Sequence, residues 1–223
     1  MKKIKLIILF SLIGSLFFLG SCKKDLETEG VSRITYFPEF KVTGDVAQSV
    51  IVGSTYTDPG VKAYENGAEI PVKITGSVDS KTPGAYVLTF TATNKDGYSA
   101  YVYRVVGVIT SDAAADDLSG SYQRNAGKKG IAVWEKVANG IYTCSDVGGA
   151  QLNASVYVVN IKKGIIVVPN QPLSGIGGSP VSCLNGDGSS EIPFVFGPAG
   201  TISYQWAVIN SGYGTAVRQF VKI

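Results

Sequence analysis

The chain contains no histidine. That removes Ser-His-Asp and Cys-His catalysis and every imidazole-based metal site. Carboxylates, three cysteines and aromatic rings remain as carriers of chemistry. In the C-terminal half, Glu135, Asp146, Asp187 and Glu191 could form a general acid–base pair if the fold brought two of them to about 5 to 10 Å. Their spacing fixes no shared site, and scattered carboxylates at strand ends are usually solvated. Asn185-Gly186-Asp187-Gly188-Ser189-Ser190-Glu191 places oxygen ligands at alternate positions and could offer several of the six to eight oxygens that calcium takes. It lacks the fuller Asp-x-Asp-x-Asp-Gly pattern, and Gly-Asp-Gly-Ser is ordinary turn chemistry. The expectation is a turn with no metal, no cofactor and no catalytic residue.

Aromatic faces are better candidates. Sugar rings present apolar C–H patches that stack on exposed Trp and Tyr. Along Ile202-Ser203-Tyr204-Gln205-Trp206-Ala207-Val208, strand alternation puts Tyr204 and Trp206 on a core face with Ile202 and Val208. Along Ile131-Ala132-Val133-Trp134-Glu135-Lys136-Val137, the core set reads as Ile131, Val133 and Val137. Trp134 then falls on the opposite, wetter face with Ala132 and Lys136, unless a loop or another domain covers it. Tyr213, between Gly212 and Gly214 in a hairpin turn, is a second candidate ligand-binding ring, with Tyr98 beside Gly97 a weaker third. The Gly-, Ser- and Pro-rich stretch 171–193 reads as a long loop of the kind that carries function.

These residues need elements to hold them, and the N-terminus sets the compartment. Three lysines in Met1–Lys5 precede a 15-residue apolar run from Leu6 to Gly20. As a helix it would reach about 22 Å, short of the roughly 30 Å hydrocarbon core. A basic start, a short apolar run and a small-residue exit make a secretory signal. The exit Leu19-Gly20-Ser21-Cys22 resembles a bacterial lipobox, which implies cleavage after residue 21 and lipidation of Cys22. Residues 22–33 are then the lipidated cysteine and a polar tether. Lys23-Lys24-Asp25-Leu26-Glu27 resembles the Lys-then-acidic export signal of Bacteroidetes surface lipoproteins. The resemblance implies an outer-membrane lipoprotein displayed on the cell surface. Loss of Lys2, Lys3 and Lys5 from the 20 basic residues leaves as many basic as the 17 acidic residues. With no net positive field, nucleic acid is not an expected partner. Cys144 and Cys183 remain. An exported chain lets them pair as a disulfide, while the strand-like Ile141-Tyr142-Thr143-Cys144 equally suits a buried thiol.

After residue 30 no helical period persists. Short β-branched and aromatic runs alternate with Gly, Asn, Asp and Pro, the pattern of an all-β chain. In Tyr86–Thr93, Tyr86, Leu88, Phe90 and Ala92 share one face, and Asn94-Lys95-Asp96-Gly97 supplies a turn into a return strand from Ser99 to Ile109. Residues 34–109 hold about six or seven strands at sandwich spacing. Gly53-Ser54-Thr55-Tyr56-Thr57-Asp58-Pro59-Gly60-Val61-Lys62-Ala63, Pro83-Gly84-Ala85-Tyr86 and Phe90-Thr91-Ala92-Thr93 resemble the bacterial immunoglobulin-like repeat named after a pesticidal crystal protein. Asn94 stands where that family usually has Asp, and Tyr98 where it usually has Asn. The resemblance implies an Ig-like β-sandwich used as a spacer or adhesion module.

Residues 110–117, small and acidic, read as a linker. Residues 118–223 form a second β domain with strands expected at Gly120–Arg124, Ile131–Val137, Ile141–Cys144, Ser155–Ile161, Ile165–Val168, Ile192–Phe196, Thr201–Ile209 and Ala216–Lys222. Eight strands fit an antiparallel sandwich or a small barrel. Leu118–Tyr122 and Gly140–Gly149 resemble C-terminal domains of uncharacterised Bacteroides lipoproteins. The expected function is non-catalytic binding of a glycan at the cell surface for polysaccharide use, with Trp134 and Tyr213 as its rings. The alternative is a structural or adhesion module that docks an outer-membrane protein partner.

Overall fold

The computed structural model describes residues 34–174 and 179–223. Residues 1–33, with the signal segment, Cys22 and the tether, lie outside the described residues, as do residues 175–178. Tyr36–Ile223 form one compact unit, and the described residues are all-β apart from a short helix and a 3₁₀ turn.

The N-terminal part is a two-sheet sandwich. One sheet has the order β1 (Glu39–Val42), β3 (Val61–Glu65), β4 (Ala68–Ile70). The other has the order β2 (Ala47–Ile51), β7 (Ser99–Ile109), β6 (Gly84–Thr93), β5 (Lys73–Thr75), with β2 parallel to β7. The period-two reading of residues 86–93 holds: Leu88, Phe90 and Ala92 are buried, and Leu88 and Phe90 pack with Val106 between the sheets.

The Tyr56–Gly60 motif serves this sandwich through a buried ion pair. Arg104 on β7 is fully buried, and its Nε lies 2.8 Å from Asp58 Oδ2. Arg104 Nη2 donates to Thr43 O at 2.8 Å and Nη1 donates to Asp45 O. The Asp58 carboxylate also accepts from Tyr56 OH at 2.9 Å and from Gly60 N at 2.7 Å. Burial and the bond to Asp58 push the Tyr56 phenol well above its ordinary pKa. A buried guanidinium is tolerated because its charge is matched and its donors are occupied. The ion pair ties the loop between β2 and β3 to the centre of β7.

The C-terminal part is a closed barrel. Its strands run β8 (Gly120–Arg124), β9 (Ile131–Ala138), β10 (Ile141–Cys144), β11 (Val156–Lys162), β12 (Ile165–Pro172), then β15 (Ile202–Ile209) and β16 (Val217–Lys222). Between β12 and β15 one position is shared by β13 (Pro180–Leu184) and β14 (Ile192–Phe196). Neighbours in sequence are neighbours in space, and β16 pairs with β8 to close the ring at Phe220↔Arg124. This resolves sandwich against barrel. It also corrects the long loop expected at 171–193, which is not one uninterrupted loop: β12 continues to Pro172, β13 (Pro180–Leu184) pairs on both sides, and β14 begins at Ile192.

An eight-position barrel is just wide enough for side chains to fill it. Here Tyr122, Trp134, Tyr142, Phe194, Tyr204, Trp206 and Phe220 occupy the interior. Trp134 stacks with Trp206 at 5.9 Å, and Tyr204 with Phe220 at 5.0 Å. Trp134 Nε1 donates to Tyr204 OH at 3.1 Å, and Trp206 Nε1 to Val147 O at 2.9 Å. The expectation for β9 is therefore inverted. Trp134 is 1% exposed, whereas Ile131, Val133 and Val137 are 43%, 38% and 46% exposed. The lumen needs ring volume and a partner for each indole N–H, which Trp134 supplies. The outer wall accepts β-branched residues.

Residues 110–117 contain helix α1 (Ser111–Ala115), anchored to the barrel at Thr110, Ala113 and Asp116 while Ser111, Asp112, Ala115 and Asp117 stay exposed. Ala113 is buried, Thr110 N donates to Ile161 O at 3.1 Å, and Asp116 Oδ2 accepts from Asn160 Nδ2 and Gly164 N. Sandwich and barrel share a core around α1. Val105 and Ile109 of β7 meet Ile141 of β10 and Val159 and Ile161 of β11. Gly107 lies at the closest approach, where an added Cβ would be 2.8 Å from Val159 Cγ1 and 3.4 Å from Ile141 Cδ1.

Asp58→Asn, which leaves Arg104 charged without its counterion, is expected to cost about 3 kcal/mol in urea denaturation. Tyr56→Phe, which removes one hydrogen bond, should cost about 1 kcal/mol. Gly107→Leu should cost at least about 2 kcal/mol by overpacking the shared core. A Gly107→Leu protein with wild-type stability would disprove the close approach.

Candidate functional site

The two rings expected to bind ligand are not brought together on a surface. Trp134 lies inside the barrel, out of reach of any sugar. Tyr213 is half-buried, its ring pressed on the barrel core and on Gly148, where an added Cβ would lie 2.1 Å from Tyr213 Cε1. Arg218 Cζ lies 5.5 Å from its ring centroid. Tyr98 is exposed, tilted against Phe37 with centroids 5.4 Å apart.

The four C-terminal carboxylates sit in separate settings. Asp146 is buried and accepts from the backbone N–H groups of Ala150, Gln151 and Leu152. Glu191 pairs with Lys162 at 3.0 Å. Asp187 accepts from Ser189 N, so the 185–191 segment is the turn that its composition implies. The bonds to Ser189 hold the Asp187 carboxyl below its ordinary pKa. Glu135 is exposed on the outer wall. Among the described residues no group of three acidic or cysteine side chains could hold a metal.

Cys144 and Cys183 are both buried free thiols, which corrects the disulfide alternative. Both project into the aromatic interior, and burial pushes both thiols far above their ordinary pKa.

What the fold does assemble is a groove where sandwich and barrel splay apart. Odd-numbered residues of β7 face the barrel: Ile109, Gly107 and Val105 are in the shared core, and Tyr103 and Tyr101 continue the same face outward. On the barrel side, Tyr157 of β11 extends the row of Val159 and Ile161. A hollow of about 430 Å³ lies between Val42, Val46, Tyr101, Tyr103, Tyr157 and Pro172. A second, about 180 Å³, shares Tyr101, Tyr103 and Pro172 and adds Asn170 and Gln171. Asn170 and Pro180 lead from it into a third, about 580 Å³, lined by Ser182, Asn210, Ser211 and Thr215. The run therefore passes from an aromatic end to an end of amides and hydroxyls.

Tyr101 is 51% exposed. Tyr103 and Tyr157 are half-buried, and burial raises both phenols, Tyr103 further through Tyr157 and Tyr101 beside it. Gln171 stiffens the wall at the β12 bulge: it accepts from Tyr157 N and donates to Tyr157 O, each at 2.8 Å. Among the described residues, none that lines these three hollows is charged.

The sandwich carries a family signature. Residues 40–108 match the family model described as bacterial surface protein, Ig-like domain. That segment runs from β1 to β7, so the Ig-like domain contributes Tyr101 and Tyr103 to the groove. Among solved structures, the chain is similar to a lipoprotein from Bacteroides thetaiotaomicron at 24% identity and a TM-score of 0.36. The match covers 84% of this chain and 100% of that one. No curated protein matches the chain.

The sequence reading missed the tyrosines of the groove. A signal was present: in Tyr101-Val102-Tyr103-Arg104-Val105-Val106, both faces of the strand carry large apolar or aromatic groups. Such a strand is covered on both sides. What covers the second face is a tertiary fact that period two does not contain.

Buried, protonated thiols do not react, since alkylation requires the thiolate. Cys144 and Cys183 should resist iodoacetamide in the native protein and both label in denaturant without reductant. Labelling that requires reductant would show a disulfide.

Proposed function

We propose that the chain is a cell-surface lipoprotein that binds a neutral glycan, without catalysis, in the groove between its Ig-like domain and its barrel. The single observation that carries this reading is the tyrosine-lined groove. Tyr101, Tyr103 and Tyr157 converge at its aromatic end, and an uncharged amide and hydroxyl surface continues from them. Stacking against sugar C–H faces with polar groups alongside is the chemistry of glycan recognition. The absence of charge in the lining favours uncharged over acidic or sulfated chains, because a buried or rim anion would meet no cation there. The lipobox-like Leu19-Gly20-Ser21-Cys22 supports anchoring through Cys22 in the outer membrane, and the surface-protein family of residues 40–108 supports display outside the cell.

A second reading, docking of an outer-membrane protein partner, draws on a different observation. Ile131, Val133 and Val137 form an outward apolar row on β9. The two readings separate by mutation.

Affinity electrophoresis against a panel of neutral polysaccharides should show retardation by at least one. Tyr101→Ala should weaken that binding about tenfold, the loss of one aromatic stacking contact. Raising salt to about 1 M should leave it unchanged, as no ion pair contributes. Val133→Asp, on the outer wall, should bind as wild type. Absence of retardation across the panel, with Val133→Asp abolishing capture of an outer-membrane protein, would replace the glycan reading with the docking one.

A further inference from the structure

The barrel end away from α1 holds an arrangement that glycan binding does not use. Tyr122 and Arg124 share a face of β8, and Arg218 and Phe220 share a face of β16. Tyr122 and Phe220 are lumen residues, so both arginines point inward. Phe220 is opposite Arg124 in register, which makes Arg218 the diagonal cross-strand neighbour of Arg124. Arg218 is only 7% exposed. Its Nη1 donates to Ala216 O at 2.7 Å and its Nη2 to Tyr213 O at 2.6 Å. Arg124 Nη1 reaches Gly148 O at 3.4 Å. Gly148 and Gly149 let the walls close on this cluster: a Cβ on Gly149 would lie 2.7 Å from Arg124 Cβ and Cδ.

Among the described residues neither arginine has a carboxylate within ion-pairing distance. The nearby acid, Asp146, has both oxygens occupied by backbone N–H groups. Burial and the like charge of Arg124 both lower the Arg218 pKa. Three polar groups here are shielded from solvent without a partner: Arg124 Nε, Arg218 Nε and Tyr213 OH. All three can donate, and the two guanidinium nitrogens can only donate. A buried and a half-buried like charge, with spare donors shielded from solvent and no carboxylate partner, form the complement of an anion.

We propose that Arg124, Arg218 and Tyr213 bind one small oxyanion, carboxylate- or sulfate-sized, at the closed end of the barrel. The ion offsets the charge of the arginine pair, in part for a carboxylate and fully for a sulfate-type dianion, and occupies the three spare donors. It also ties the β15–β16 hairpin that carries Tyr213 to β8. Arg124, Arg218 and Tyr213 are not among the residues that line the groove, although the hairpin that carries Tyr213 also supplies Asn210, Ser211 and Thr215 to its polar end; the anion titrations are done without glycan, so their outcome is read independently of glycan binding.

The test is thermal denaturation and isothermal titration of the full-length protein in detergent. Sodium formate and sodium sulfate are titrated separately, with sodium chloride holding ionic strength constant. The expected result is a saturable rise in melting temperature and a measurable heat with at least one of the two. Which anion binds more tightly tells a carboxylate from a sulfate-type ligand. Tyr213→Phe keeps the ring against Gly148, removes one donor and should weaken the affinity about fivefold. Arg218→Gln should abolish saturation. If Arg218→Gln does not fold, Tyr213→Phe decides. A melting temperature that stays constant as formate or sulfate replaces chloride at fixed ionic strength, with no saturable heat, would overturn the proposal. So would saturable binding that is unchanged in Tyr213→Phe.

Discussion

The architecture depends on the approach of one strand to another across Gly107. β7 is the hydrogen-bonded centre of the Ig-like domain and at the same time one wall of the core shared with the barrel. Its even residues, Arg104 and Val106, belong to the sandwich interior, and its odd residues, Val105 and Ile109, meet Ile141, Val159 and Ile161. Without a side chain at 107 the two curved surfaces touch at that level. Away from it they diverge, since a twisted sheet and a barrel wall cannot stay parallel over the length of an 11-residue strand. The groove is the geometric result of that divergence. Tyr101 and Tyr103 lie in it because they sit further along the face of β7 that starts in the shared core.

The barrel contributes rigidity rather than a cavity. A closed sheet has no free edges, and seven aromatic residues fill its interior. Each indole N–H inside has an acceptor, so the rings are fixed in orientation as well as buried. A filled lumen turns attention to surfaces and ends: the groove on one side, and the arginine pair at the end where the packing of rings stops.

Much of the fold was legible because strand signals are local. The return strand Ser99–Ile109 and the strands Gly120–Arg124, Ile141–Cys144 and Ile192–Phe196 have the bounds that alternation and turn residues imply. β13 was not legible. Pro180 and the surrounding Gly and Ser imply a loop, yet Val181 and Cys183 are drawn into the interior by pairing with β12 and β15. The face of β9 was read backwards for a related reason. Aliphatic count assigns Ile131, Val133 and Val137 inward, but a narrow lumen selects for ring volume and places Trp134 there. The candidate site was legible only in residue type. The sequence pointed to exposed aromatic rings, but the rings that the fold assembles come from β7 and β11: Tyr157 lies 54 residues from Tyr103 and 56 from Tyr101 in sequence. Contact across such a separation is a property of the packed domains.

The composite position in the barrel wall has an evolutionary consequence. β13 and β14 fill one place in the ring between β12 and β15, and the chain leaves the wall between them at residues 185–191 and then returns. The strands on either side pair with both halves, so the wall stays continuous whatever the excursion contains. A loop in that position can lengthen, shorten or change composition without altering register elsewhere. Related barrels would therefore diverge first at this point, acquiring new surface while β7, Gly107 and the aromatic interior stay constrained by packing.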